Sequence, residues 1–341
     1  MKKRLLTNSA LGFAAFVGFL ALAGTGTNAQ EAEQYVPVLP KVIERVLPVD
    51  YSKGYLVVTI APDVYVITDG IYQSMFVTTG EGVILFDAPP SFGQNIEKAV
   101  AEVTEEPIRK LVYSHAHVDH TAGAEFLKDI PDLEIIAEQE VSDFLSEMRD
   151  PRRLLPTTTF VGELEIRFGS ARIELKKMDY HSNEGDLFIY LPNKRVLMAV
   201  DTFPPGYVPF MNFDLTMNMH AYLKMFDQLL AYDFDVLVPG HSTSLGTRED
   251  VIENKDYAMD VYSTVKRIHN GTDQNQAMME VIEEYGAGNT FLIFEKFLDA
   301  IVQESYREIR DRWINRLAGV DVFGESHAET MMIYVRWDDK L

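Results

Sequence analysis

Between residues 55 and 87, short apolar runs at 55–60, 64–67, 74–78 and 83–87 carry mostly β-branched and aromatic side chains, with Gly and Asp between them. That pattern predicts successive strands joined by tight turns. Over 91–103 the period changes, and Ile96, Val100 and Val103 fall on one side, as an amphipathic helix requires. A strand over 108–113 follows, then a helix over 124–128, a strand over 133–137 and a helix over 138–148. A second β-rich stretch, 159–201, predicts strands over 164–168, 171–175, 186–191 and 195–200, and a helix over 219–232 leads into a strand over 236–238. Meander, helix and strand occur twice. Two sheets packed face to face with helices outside satisfy both halves, which is an α/β architecture.

The pattern changes again after Gly246, and residues 248–318 are helical in period. Val261, Val265 and Ile268 share one face; Met278, Val281, Ile282 and Tyr285 share a second; Leu298, Ile301, Val302, Ile309, Trp313 and Leu317 make a third. Asn270-Gly271 and the Gly-rich stretch 286–289 punctuate these helices. The expected division is 1–29, 30–247 and 248–341, the last a helical appendage for packing and, as one option, a homodimer.

Residues 1–29 read as a secretory signal. Lys2, Lys3 and Arg4 precede an apolar stretch over 11–23, and Thr27-Asn28-Ala29 is a small-x-small cleavage site. The stretch is short for a permanent anchor. Export to a periplasm or beyond is therefore expected, with no stable membrane anchor after cleavage. The chain has no cysteine, so disulfides, thiolate ligands and cysteine nucleophiles are excluded. Its formal net charge is −21, and loss of the basic leader would make it more negative. Such a field repels polyanions, so nucleic acid is not an expected partner, whereas a neutral or cationic small molecule is easily admitted.

Ser114-His115-Ala116-His117-Val118-Asp119-His120 crowds four metal-binding side chains just after a predicted strand. Buried together they are costly unless a cation takes their lone pairs. His181, Asp201 and His241 each lie close to the end of a predicted strand, where α/β proteins usually bind ligands. The seven, His115, His117, Asp119, His120, His181, Asp201 and His241, are the candidate ligands of a metal site with nitrogen and oxygen donors. Asp87, also at a strand end, is a candidate to orient a ligand histidine. His220, His269 and His327 read as structural.

His-x-His-x-Asp-His followed by isolated His, Asp and His at strand ends resembles the metallo-β-lactamase superfamily over roughly residues 50 to 245. The resemblance implies an αβ/βα four-layer sandwich with the site at one edge between the halves. It also implies two divalent ions, Zn²⁺ first: one held by His115, His117 and His181, one by Asp119, His120 and His241, with Asp201 bridging. Such a pair activates a water for hydrolysis, and Asp119 would handle the proton as the bond breaks. Bridging by an Asp is more like the family's lactonases, thioesterases and phosphoesterases than its β-lactamases. The expected reaction is cleavage of an ester, lactone or amide in a hydrophobic small molecule, because the aromatic and proline-rich stretch 202–213 after Asp201 could form an apolar wall. β-Lactam or phosphoester hydrolysis, a mononuclear iron sulfur dioxygenase and a non-catalytic metal-binding protein stay open at this point.

Overall fold

Side-chain alternation along the strands decides the layering. The computed structural model describes residues 35–242 and 244–341. After a short helix, α1 (Pro40–Ile43), come strands β1 (Leu56–Ala61), β2 (Val64–Thr68), β3 (Gln73–Thr78) and β4 (Val83–Phe86). Helix α2 (Asn95–Ala101) leads to β5 (Ile108–Val112), α3 (Val118–Thr121), a 3-10 segment (Ala122–Leu127), β6 (Glu134–Glu138), α4 (Gln139–Met148) and β7 (Thr158–Phe160). Strands β1 to β7 form one sheet in chain order, antiparallel up to β4 and parallel from β4 to β7. The second sheet has the order β12-β11-β10-β9-β8, from β8 (Glu163–Phe168), β9 (Ala171–Lys177), β10 (Leu187–Leu191), β11 (Val196–Ala199) and β12 (Val236–Val238). Only its β11–β12 pair is parallel.

Val64 and Val66 of β2, Met75 and Val77 of β3 and Ile84 and Phe86 of β4 point inward, onto Leu187, Ile189 and Leu191 of β10 and Val196 and Met198 of β11. This core lies between the sheets. The alternate residues, Phe76, Val83, Leu85 and Leu111, pack under α2 and α4. On the far side Phe188, Leu197 and Ala199 pack under α5 (Met219–Leu230) and the C-terminal helices. The αβ/βα four-layer sandwich is thus built by period-two strands, each feeding two cores.

The C-terminal region is helical: α6 (Arg248–Gly271), α7 (Gln274–Tyr285), α8 (Thr290–Trp313) and α9 (Val320–Trp337). Thr247 and Asp250 form a reciprocal capping box at the start of α6, and Asn289 caps α8. The faces expected on α6 and α8 are buried, but α7 buries none of its residues, and Met279 and Tyr285 are exposed. Residues 37–341 form one compact unit. No helix among the described residues is long and apolar enough to cross a membrane. The signal sequence expected over 1–29 lies outside the described residues.

Candidate metal centre

Both halves of the sandwich end a strand in an aspartate with left-handed backbone. Asp87 after β4 has φ 61° and Asp201 after β11 has φ 56°. Each lies beside a parallel strand that runs on into histidines: β5 into the 115–120 run, β12 into His241. Two glycines permit the approach. A Cβ on Gly123 would lie 2.4 Å from the Ala88 carbonyl oxygen, and one on Gly240, where φ is 83°, would lie 2.5 Å from Val200 Cγ1. Gly240 therefore lets His241 come down beside Asp201.

The fold brings all seven sequence candidates together in two sets. His115, His117, His181 and Asp201 form one and Asp119, His120 and His241 the other, the donor atoms of each lying within 4.8 Å of one another. Asp201 divides its oxygens between them. Its Oδ2 lies 3.3 Å from His115 Nε2, 3.3 Å from His181 Nε2 and 4.0 Å from His117 Nδ1. Its Oδ1 lies 3.3 Å from His120 Nε2 and 3.0 Å from His241 Nε2. Asp119 Oδ2 is 3.8 Å from His120 Nε2 and 3.7 Å from His241 Nε2.

Whether a metal suits these residues is decided by protons. Ser114 Oγ donates to Asp87 Oδ2 at 2.7 Å, so it can only accept from His115 Nδ1 at 2.9 Å. That fixes the tautomer and leaves His115 Nε2 a bare lone pair, buried and without a hydrogen bond, as is Asp201 Oδ1. Burial keeps His115 neutral, well below the ordinary histidine range, although Asp201 opposes it. Burial would raise Asp201, but the charges of His120 and His241 outweigh it and hold the carboxyl well below the usual range. Acceptors aimed at a common point need a cation between them. Donors around one tetrahedral ion with bonds of about 2.0–2.1 Å lie roughly 3.3 Å apart, close to the separations found here. The residues present fit divalent metal.

Several side chains support these ligands, and of them the sequence singles out Asp87 alone. Asp186 accepts from His181 N at 2.8 Å and from Ser182 N and Oγ at 3.1 and 2.7 Å, which fixes the His181 loop. Its only local signal is an acid five residues after a histidine in a polar loop. Arg153, nearly buried, donates to the Ala116 carbonyl at 3.0 Å, between His115 and His117. Asp87 accepts from Ser114 N at 2.7 Å and lies 3.6 Å from His120 Nδ1, so it steadies one histidine through Ser114 and faces another. The Tyr72 ring lies 4.8 Å from that of His241, and burial, with Asp119, Asp69 and Asp201, pushes its hydroxyl up to about 12.

The apolar wall expected over 202–213 is realised only in part. Phe203, Val208 and Phe213 pack into the core, and Tyr207 bridges to Ala318 at the foot of α9. Phe210 and Met211 stay exposed, and beyond them Asn212, Phe213, Asp214 and Leu215 all have positive φ, between 55° and 61°. This left-handed turn costs on the order of 1–2 kcal/mol per residue and must be held from outside. Helix α9 holds it: Ser326 Oγ accepts from Asn212 N at 3.1 Å, and His327 Nε2 donates to the Phe210 carbonyl at 2.9 Å. The segment then bonds to the site, Met217 N donating to the His181 carbonyl at 2.8 Å. Exposed Leu215 and Met217, with Val118 between His117 and Asp119 and Ile71 beside Tyr72, give the site an apolar rim.

Residues 67–241 match the family described as the metallo-beta-lactamase superfamily. The chain is 30% identical over 191 residues to a 2,4-dinitroanisole O-demethylase subunit alpha from Nocardioides sp. (strain JS1661), a match covering 54% of this chain and 57% of that one. It is 21% identical over 302 residues to a linear primary-alkylsulfatase from Pseudomonas sp. (strain ATCC 19151), covering 70% of this chain and 55% of the relative. It thus spans little more than half the length of these curated relatives. A metallo-beta-lactamase structure from Pontibacter korlensis superposes with a TM-score of 0.52 at 16% identity, over 59% of this chain and 97% of that one.

Proposed function

We propose that this chain, which belongs to the metallo-beta-lactamase superfamily, is a two-metal hydrolase, with zinc as its native ion, that cleaves an ester, lactone or amide bond in an uncharged, hydrophobic small molecule. One observation carries the reading: a single buried carboxylate, Asp201, turns one oxygen to each of two histidine sets. A closed structural zinc site needs only four ligands; seven in two adjoining sets are suited to catalysis.

Two bound divalent ions would lower the pKa of a shared water toward neutrality and polarise the bond to be cut. The chain's own residues do the rest. His115, His117 and His181 would hold one ion and Asp119, His120 and His241 the other, with Asp201 turned to both sets. Asp119 lies at the accessible side, its side chain 36% exposed, where it can take the proton of the attacking water and pass it to the leaving group. The apolar rim of Ile71, Val118, Leu215 and Met217 receives the hydrophobic part of the substrate. The carboxylates and the net charge of −21 disfavour an anionic substrate, which sets the proposal apart from the activity named for the alkylsulfatase relative. The order of basic, apolar and small residues over 1–29 supports work outside the cytoplasm, in a bacterial periplasm.

The test is metal content per chain, paired with turnover of an aryl ester, an acyl lactone, a cephalosporin, a phosphotriester and a primary alkyl sulfate. Two metals with ester or lactone turnover are expected. One iron without hydrolysis moves the reading to dioxygenase chemistry, and a chain that takes up no metal overturns it. Asp119→Asn with full metal and full activity removes the proton role.

A further inference from the structure

Tyr72 is fixed against the metal centre more firmly than packing alone requires. Asp69 Oδ1 accepts from the backbone of both Ile71 and Tyr72, at 2.9 and 2.8 Å, which sets the turn before β3. The next residue locks that turn to the His241 loop. Gln73 N donates to the Gly240 carbonyl at 2.7 Å, and Gln73 Nε2 donates to the carbonyls of Ser242 and Ser244 at 3.0 Å each. Ser242 N returns a bond to the Ile71 carbonyl at 2.9 Å, and Tyr72 and His241 face each other as a β-bridge. The phenol ring is held over His241 at 4.8 Å and edge-on to His120 at 5.9 Å.

The hydroxyl at the end of this rigid mount has no hydrogen-bond partner among the described residues, although the ring is half-buried. The fully buried phenols among the described residues are paired, Tyr113 with Leu154, Tyr180 with Val200, Tyr222 with Thr202 and Tyr257 with His327, so the Tyr72 hydroxyl, held by its mount but open to solvent, is not committed to the fold as theirs are. A fixed donor left open beside Asp119 and Asp201, on the accessible side of the centre, is arranged for a group that arrives with the substrate.

We infer that Tyr72 is a further catalytic residue, whose O–H donates a hydrogen bond to the substrate oxygen that gains negative charge during hydrolysis. The inference rests on the hydrolase reading above. As hydroxide oxygen bonds to the carbonyl carbon, the π pair moves onto the carbonyl oxygen, and that oxygen accepts from Tyr72. The phenol keeps its proton throughout. Collapse returns the pair, breaks the bond to the leaving oxygen or nitrogen, and the leaving group takes up the proton released by the attacking water. Because Tyr72 acts only when the oxygen is charged, it lowers the barrier more than it tightens substrate binding.

Tyr72→Phe keeps the ring on His241 and removes only the donor. On the ester or lactone that the wild type turns over best, kcat is expected to fall by about 100- to 1,000-fold with KM nearly unchanged, as for loss of one such donor. Metal content and Tm should match the wild type. An aryl methylphosphonate monoester, whose anionic oxygen imitates the charged intermediate, should bind about 100-fold more weakly to the metal-loaded variant by calorimetric titration. Unchanged kcat and unchanged phosphonate affinity overturn the inference. So does loss of metal from Tyr72→Phe, which would make the tyrosine a support of His241. A wild type without turnover on any ester or lactone overturns the hydrolase reading instead, and the phosphonate titration then decides the role of Tyr72 alone.

Discussion

His115 Nε2 and Asp201 Oδ2 face each other across 3.3 Å, almost fully buried, and neither has a proton to offer the other. Without a cation this is a repulsive contact in a low-dielectric place. Metal is therefore part of the folded state's stability. Stripping the protein with a chelator should lower Tm by about 5 °C or more, and adding back Zn²⁺ should restore it, since saturation at 100 times Kd is worth about 2.7 kcal/mol. Identical melting curves with and without chelator would refute this.

The two sets should load in order. Burial keeps His115 neutral and lowers His181 to about 4, so both offer lone pairs at neutral pH. His120 is pushed the other way: burial lowers it, but the charge and hydrogen bond of Asp201, with Asp87 and Asp119, win and raise it to about 10. A metal on the His120 side must displace a proton. Titration at pH 6 should therefore give one tight equivalent and a much weaker second, and toward pH 8 the second should tighten by about tenfold per unit or more, with at least one proton released, since His241 is raised as well. Two equal, pH-independent equivalents would contradict it.

Asp87 acts through Ser114 on one histidine and faces another. Asp87→Asn should weaken metal binding by about 10- to 100-fold in competition with a chromophoric chelator, while the far-ultraviolet circular dichroism stays unchanged. Unaltered affinity would leave Asp87 a mere turn residue.

His327, which is not among the candidate metal ligands, ties pH to stability. Burial lowers it to about 4, against the bonds to Phe210 and Pro209. It donates from Nε2 to Phe210 and accepts the Tyr257 hydroxyl at Nδ1, so it is needed neutral. The unfolded chain takes up this proton near pH 6.5, and the folded one only near 4. Its contribution is thus present above about 6.5 and is lost as pH falls toward 4, on the order of 3 kcal/mol at full effect. Urea melts of His327→Gln should show a shallower fall in stability between pH 6.5 and 4 than the wild type; equal slopes would exclude the linkage.

Leu215 is half-exposed with φ 58° at the end of the left-handed turn. Leu215→Gly should relieve strain and raise stability by up to about 1 kcal/mol, net of glycine's entropy cost. It should also raise KM for apolar substrates by removing part of the rim. Lower stability would show that contacts of Leu215 outweigh its strained backbone.

Legibility of the sequence followed the range of the interaction involved. Strand alternation is local, so β2 to β5 and β8 to β12 were readable almost in full, and the crowding of His115 to His120 needed no tertiary knowledge. His181, Asp201 and His241 were visible only as strand-end residues, and their grouping came from family resemblance. Tyr72 carries no local signature, because its role arises from a loop many residues away, and Asp186 offers only an acid five residues after a histidine. The left-handed turn opposed local preference. Phe213 and Leu215 favour ordinary helix or strand, and it is Ser326 and His327 that decide otherwise. The apolar face on α7 is covered only in part: Met278, Val281 and Ile282 are half-buried and Met278 packs against the C-terminal core, while Tyr285 stays exposed.

The grip of α9 on the turn beside the candidate metal ligands also bears on how such a protein can diversify. A chimera that joins this sandwich to a relative's last helices would keep every ligand and still lose Ser326 and His327. The strained turn would relax, and the rim would change shape with no substitution among the residues that line it. On the proposed reading, the shape of the rim is set by the last helix as well as by the sandwich, and an exchange of C-terminal segments is a route to new preferences that leaves the metal-ligand residues untouched.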